Sequence, residues 1–284
     1  MTNFEYITYP DGSGYVKLGN NINSEFTFRL NHYEDLWKLN QIVDAYNNVG
    51  IVPLITIPCL IDAQADRRFN YNESYGLKLV LDFLDSLDAK YKIFHPHNPE
   101  VVEALVDNVE IIDNSEFIKE VLKLLPMDEI KYSSARADLG HSNLILMSSD
   151  AGGFKPLIKL CDKLKWEGET YSAGKHRKYD GNETRLTQFI DRNNFQGKDI
   201  LIVDDICVKG GTFKGLAKLL KERNVGKLYL AVSHMTIENH KDDSLFKLFD
   251  KIFVTNSKFD NYYVPYKSGN GGWQPENLEI IKMF

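Results

Sequence analysis

The chain has 284 residues, of which 43% are hydrophobic and 26% charged, and a formal net charge of −6 at pH 7. That length suffices for two ordinary domains with a full core each, and an acidic balance without a long basic run argues against nucleic-acid binding. No apolar stretch is long enough to span a bilayer and Met1 opens no charged-then-apolar leader; the three cysteines, Cys59, Cys161 and Cys207, imply no disulfide framework, so a cytoplasmic protein with core cysteines is expected.

Apolar residues at helical spacing predict helices over Asp35–Tyr46 and Tyr75–Leu87, with a buried strand at Val52–Pro58 between them. The pattern weakens around Ser115–Gly140, and a domain boundary is placed there, giving domains over residues 1–126 and 127–284. A strand at Asn143–Ser148 and a helix over Lys155–Leu164 follow. Tyr171–Thr187 is polar and carries Lys175, His176, Arg177, Lys178 and Arg185 beside Gly174 and Gly181, a composition that suits a mobile surface loop. A strand at Ile200–Val203, a helix over Phe213–Arg223 that ends near Asn224 and Gly226, and strands at Lys227–Val232 and Lys251–Thr255 complete the set. Strands alternating with helices predict an α/β fold with mainly parallel sheets flanked by helices.

The most informative segment is Asp199–Phe213, DILIVDDICVKGGTF. Its apolar run ends in paired carboxylates, Asp204 and Asp205, then opens through Gly210, Gly211 and Thr212 into a helix. Glycines let backbone N–H groups approach a phosphate, and a helix N-terminus adds partial positive charge. The two carboxylates suit ribose hydroxyls, or Mg²⁺ held through water. Together these features predict a site for a phosphorylated sugar.

Other segments carry a family resemblance. Tyr9–Val16 (YPDGSGYV), Ile57–Arg68 (IPCLIDAQADRR), His95-Pro96-His97, Ser148–Gly153 (SSDAGG), Lys175-His176-Arg177, Asp204–Thr212 and Val232-Ser233-His234 fall in one order along the chain. In that order they resemble the motifs of the ribose-phosphate pyrophosphokinases, also called phosphoribosyl-pyrophosphate synthetases. The resemblance implies two phosphoribosyltransferase-like domains, ATP as co-substrate, Mg²⁺ as cofactor, and a homo-oligomer acting on small molecules with no nucleic acid or membrane partner. It places ATP contacts at Asp11, Gln64, Asp66, Arg67 and His97, the metal near His97 and Asp150, and catalysis on Lys175 and Arg177. Asp204, Asp205, Lys209, Gly210, Gly211 and Thr212 become the ribose-phosphate site. Pyrophosphoryl transfer needs charge stabilisation on the moving phosphates more than covalent help, which two cations on a closing loop would supply.

The chain also departs from the pattern. The sugar-phosphate loop has Val208 and Lys209 where the family usually has Asp-Thr, which shifts local charge by about two units. Lys209 would reach past a first phosphate to a second, as ADP-ribose presents. A branch of the family uses ADP-ribose, forming ADP-ribose 1″-pyrophosphate for NAD synthesis. Both acceptors, ribose 5-phosphate and ADP-ribose, stay open on the residues. In the ATP segment the family's Arg-Gln is Gln64-Ala65, and the early glutamate is Ser13. A phosphoribosyltransferase and a non-catalytic regulatory homologue are the other readings.

Overall fold

The computed structural model describes residues 4–126, 143–180, 183–236, 244–261, 264–265, 272–273 and 275–284. Of residues 175–180, 183–187, 264–265 and 272–273 it describes the backbone alone. The chain divides into two compact units, residues 1–113 with 284, and residues 114–283.

The first unit begins with an antiparallel hairpin, β1 (Phe4–Thr8) and β2 (Gly14–Leu18). A four-stranded sheet follows, in the order β3 (Glu25–Thr27), β4 (Leu54–Ile57), β5 (Lys90–Phe94), β6 (Val109–Ile112), with every ladder parallel. Its crossovers are α1 (Tyr33–Asn48), α2 (Gly76–Asp85) and α3 (Pro99–Leu105). α1 buries Leu39, Ile42, Val43 and Tyr46, and α2 buries Leu77, Val80, Leu81 and Leu84, the spacing that puts an apolar stripe on one helix face. Both stripes close over Ile55, Ile57 and Ile93 of the sheet.

The second unit holds a six-stranded parallel sheet in the order β16-β13-β12-β11-β7-β8. In chain order its elements are α4 (Ser115–Leu124), β7 (Leu144–Ser148), α5 (Phe154–Leu164), β8 (Thr170–Ser172), β9 (Gly174–Asp180), β10 (Glu183–Phe189) and β11 (Asp199–Cys207). Then come α6 (Gly211–Lys221), β12 (Leu228–Met235), β13 (Lys251–Thr255), β14 (Val264–Pro265), β15 (Gly272–Trp273) and β16 (Leu278–Ile281). α6 lays Phe213, Leu216, Ala217 and Leu220 against Ile145, Ile202, Leu230 and Val254. The alternate residues Leu146, Leu201, Ala231 and Phe253 are buried as well, so both sheet faces are covered, as parallel sheets require. Cys59, Cys161 and Cys207 are buried thiols outside any disulfide, and burial pushes the Cys207 thiol up to about 12.

The structure departs from the sequence expectation at three places. The acids do not end β11: its ladder with β12 continues beyond them through Ile206 opposite His234 and Cys207 opposite Met235. Residues 115–124 form a regular helix, burying Phe117, Ile118, Val121 and Leu122. The polar stretch expected to be a loop is an antiparallel hairpin, with β9 and β10 paired from Gly174 opposite Phe189 to Asp180 opposite Glu183. Tyr179, Thr184, Leu186 and Phe189 favour extended backbone, and the connecting Gly-Asn pair, residues 181–182, is a two-residue hairpin signal; it lies outside the described residues.

Candidate functional site

In the second unit, β7 is followed in the chain by β8 on one side of it and later by β11 on the other, so the strand order reverses between β7 and β11. Open α/β sheets bind ligands at such a reversal, beyond the carboxyl ends of the strands. Acids stand toward the carboxyl ends of both neighbouring strands: Asp150 follows β7, and Asp204 and Asp205 precede the last two residues of β11.

The carboxylates are held by local bonds. Ser149, 3% exposed, donates from its hydroxyl to Asp204. The other Asp204 oxygen accepts from the Asp205 N–H at 2.9 Å. Burial, and then the neighbouring charge of Asp205, raise the Asp204 carboxyl far above the ordinary carboxylate range. Burial thus favours the protonated form of Asp204. Asp150 accepts from the Gly153 N–H at 3.1 Å through Oδ1, just before α5. Its carbonyl accepts from Ser148 Oγ at 2.9 Å and from Ser172 Oγ at 3.2 Å, which ties the SSDAGG turn to β8.

After β11 the chain turns at Val208 and Lys209, both exposed, and enters α6 through Gly210. Gly210 has φ +68°, and a Cβ there would stand 3.1 Å from the Leu245 side chain, so glycine is required on two counts. A Cβ on Gly211 would meet nothing within 4 Å, which leaves open space above the first turn of α6. The first N–H groups of a helix have no partner within it, so this turn presents donors to an anion. Asp204, Asp205, Lys209, Gly210, Gly211 and Thr212 thus stand on one strand end and the turn that follows it. Lys175 and Arg177 lie on β9, opposite Gln188 and Leu186 of β10; their side chains lie outside the described residues.

In the first unit, the residues singled out after β4 and β5 emerge from neighbouring parallel strands. Asp66, 7% exposed, accepts from Arg67 Nε at 2.8 Å and Arg67 Nη2 at 2.9 Å, and from Asn98 Nδ2 at 3.3 Å. The Arg67 hydrogen bond holds the Asp66 carboxyl below its usual range despite partial burial, and the charge of His97 adds to this. The structure therefore brings Asp66, Arg67 and His97 together, and Asp66 is spent on fixing Arg67. Gln64 is exposed in the turn after β4. Asp11 sits at the tip of the β1–β2 hairpin, where its Oδ1 accepts from the Ser13 N–H at 3.0 Å and Ser13 Oγ at 2.7 Å. Ser13, in place of the family's glutamate, thus serves the turn itself.

Three polar residues escaped the sequence reading: Ser149 beneath Asp204, Ser172 on β8, and Gln188, which donates to the Thr212 carbonyl at 3.0 Å. Ser149 lies inside a quoted motif, but its partner is 55 residues away. Gln188 carries no local signal. Among the described residues, no group of three or more His, Cys, Asp or Glu side chains is set to hold a metal by itself, and no helix is long and apolar enough to cross a membrane.

The phosphoribosyl transferase domain model matches residues 127–266. The ribose-phosphate pyrophosphokinase of Pyrococcus furiosus is 24% identical over 262 residues, covering 90% of this chain and 86% of that protein. That of Sulfolobus acidocaldarius is 24% identical over 267 residues, covering 90% and 85%. The crystal structure of phosphoribosylpyrophosphate synthetase from Mycobacterium smegmatis matches all of this chain and 87% of that one, with a TM-score of 0.70 and 15% identity, which establishes the shared fold. With both units covered by the curated relatives and a phosphoribosyl transferase domain in the second, the chain is a homologue of the ribose-phosphate pyrophosphokinases.

Proposed function

We propose that the chain transfers the β,γ-diphosphate of ATP to the anomeric C1 hydroxyl of a ribose 5-phosphate unit, releasing AMP. The observation that carries this reading is the acid pair and glycine turn at the strand-order reversal, in a chain related over both units to ribose-phosphate pyrophosphokinases. In the step, the C1 oxygen forms a bond to the β-phosphorus, the bond from that phosphorus to the α–β bridging oxygen breaks, and the bridging oxygen leaves with AMP. The hydroxyl proton passes to solvent or to a nearby base.

The residues take separate parts. Asp204 and Asp205 hold the ribose diol. Gly210, Gly211 and Thr212 bind the 5′-phosphate through the first turn of α6. Lys175 and Arg177 meet the moving phosphates, where a cation gains more in a water-poor site than in bulk solvent. Arg67, held by Asp66, reaches toward the ATP phosphates with Asp11, Gln64 and His97 on the nucleotide side; its side chain remains 62% exposed. The Asp150 carboxylate, in the SSDAGG turn, is an oxygen ligand of the kind a hard divalent cation takes. Asp150 would hold Mg²⁺ on the side of the second unit, and the cation would supply charge neutralisation on the phosphates.

Two acceptors suit the loop. Ribose 5-phosphate needs only the helix turn. Val208 and Lys209, exposed where the family usually carries Asp-Thr, favour a substrate extended at the 5′ end such as ADP-ribose. The test is incubation with Mg-ATP and each acceptor, with phosphorus NMR of the products. AMP formed together with a 1-pyrophosphate of one acceptor supports the reading; absence of AMP with both overturns it. Lys209→Ala should cut use of ADP-ribose and spare ribose 5-phosphate, and equal losses with both would refute the extended-substrate role.

A further inference from the structure

The hairpin β9–β10, which carries Lys175 and Arg177, forms its own two-stranded sheet. Among the described residues no ladder joins it to the six-stranded sheet, so side-chain contacts share in fixing its direction beside the acceptor loop. Gln188 stands at the foot of β10, opposite Lys175 in register. Its Nε2 donates to the carbonyl of Thr212, in the first turn of α6, at 3.0 Å. Its Oε1 lies so close to α6 that a Cβ on Gly215 would stand 2.3 Å from it. Glycine is unfavourable in a helix interior relative to alanine. Gly215 is thus a recess cut into α6, and the Gln188 amide fills it.

We propose that Gln188 is a positioning residue for the pyrophosphokinase reaction, seating the Lys175/Arg177 strand on the turn that grips the acceptor phosphate. The proposal rests on the function given above. One amide binds the first turn of α6, and its own backbone pairs with Lys175, so two parts of the site share one mechanical link. A reacting geometry misplaced by about 1 Å can cost on the order of a hundredfold in rate, so a loose seat should register in turnover.

The test uses Gln188→Ala, Gln188→Glu, Gly215→Ala and the Gln188→Ala/Gly215→Ala double variant in the full chain. Glutamate keeps the shape of glutamine but, ionised, cannot donate to a carbonyl. The alanine at 215 meets only the end of a flexible side chain, so it displaces Gln188 without breaking the helix. Each single variant should lower kcat for AMP release by about tenfold or more with KM for ATP little changed, the pattern of a lost transition-state arrangement. The double variant should fall no further than Gln188→Ala, because both changes remove the same contact. Amide hydrogen exchange of residues 174–180 should quicken in every variant. Unchanged kcat in Gln188→Glu and Gly215→Ala, effects that multiply in the double variant, or unchanged exchange would overturn the proposal. If the unaltered chain releases no AMP, the function reading fails, while the exchange measurement still decides whether Gln188 seats the hairpin.

Discussion

Gly210→Ala isolates the backbone geometry on which the acceptor loop depends. Gly210 sits at the start of α6 with φ +68°, a conformation that costs an L-residue roughly 1–2 kcal/mol relative to glycine. The new methyl would also lie 3.1 and 3.2 Å from the two terminal carbons of Leu245, tighter than ordinary contact. Leu245 is 2% exposed and packs in the same core as Phe213 and Leu216, so it has little room to retreat. Overpacking of a core commonly costs about 1–3 kcal/mol, and the low end applies because the colliding atoms end a flexible side chain. The two contributions add to a loss of about 2–3 kcal/mol, which for a unit of this size lowers Tm by roughly 5–10 °C.

Urea unfolding of the alanine variant reads the sum, and a double-mutant cycle with Leu245→Ala separates its parts. The contact portion, on the order of 1 kcal/mol, should appear as coupling, and the backbone portion should persist without Leu245. In turnover assays KM for the acceptor should rise while KM for ATP holds, because the displaced turn is the one proposed to bind the sugar phosphate. A variant as stable as the parent would show that residue 210 does not occupy the left-handed region. A penalty that vanishes completely in the Leu245→Ala background would show that sterics alone require glycine.

Other perturbations test other parts of the site. Burial and the Asp205 charge keep Asp204 protonated in the folded chain up to about 8, whereas an ordinary aspartate ionises near 3.8. Within that window the folded state keeps a proton that the unfolded chain has lost, so stability of the metal-free protein should fall as pH rises and level off above it. Asp204→Asn should flatten this slope in urea unfolding between about pH 4 and 8 and abolish turnover; an unchanged slope refutes the protonated Asp204. Lys175→Ala should lower kcat far more than it weakens ATP binding, and an effect confined to KM would remove Lys175 from the transition state. Asp66→Asn leaves Arg67 without its carboxylate and should raise KM for ATP several-fold with kcat nearly kept; equal ATP affinity in the variant would show that the pair is not part of the nucleotide site.

Much of the fold was legible because its signals are local. The run Leu144–Ser148 is buried at every position, and so is Leu228–Met235, which is what a continuous apolar run in a central parallel strand looks like. The stripe Leu157, Leu160, Cys161, Leu164 repeats at helical spacing and became α5. Short edge elements were missed for the opposite reason. β8 has only three residues, too few to show an alternating pattern, and is defined by its pairing with β7. The β9–β10 hairpin was obscured by its charge: five basic side chains in the Tyr171–Thr187 stretch masked the extended pattern and its Gly-Asn connection.

The sequence by itself determined the order of chemical groups along the chain: acids at strand ends, glycines before α6, a Lys-x-Arg after β8. Those are matters of residue type and spacing, and they carry the family resemblance. Only the tertiary structure decided which groups meet. The strand order, reversing between β7 and β11, brings Ser149 under Asp204 from 55 residues away. Burial and the adjacent Asp205 charge then set the protonation of Asp204, and the recess at Gly215 sets where Gln188 rests. Contacts between residues distant in sequence depend on register and packing, and no local pattern encodes either.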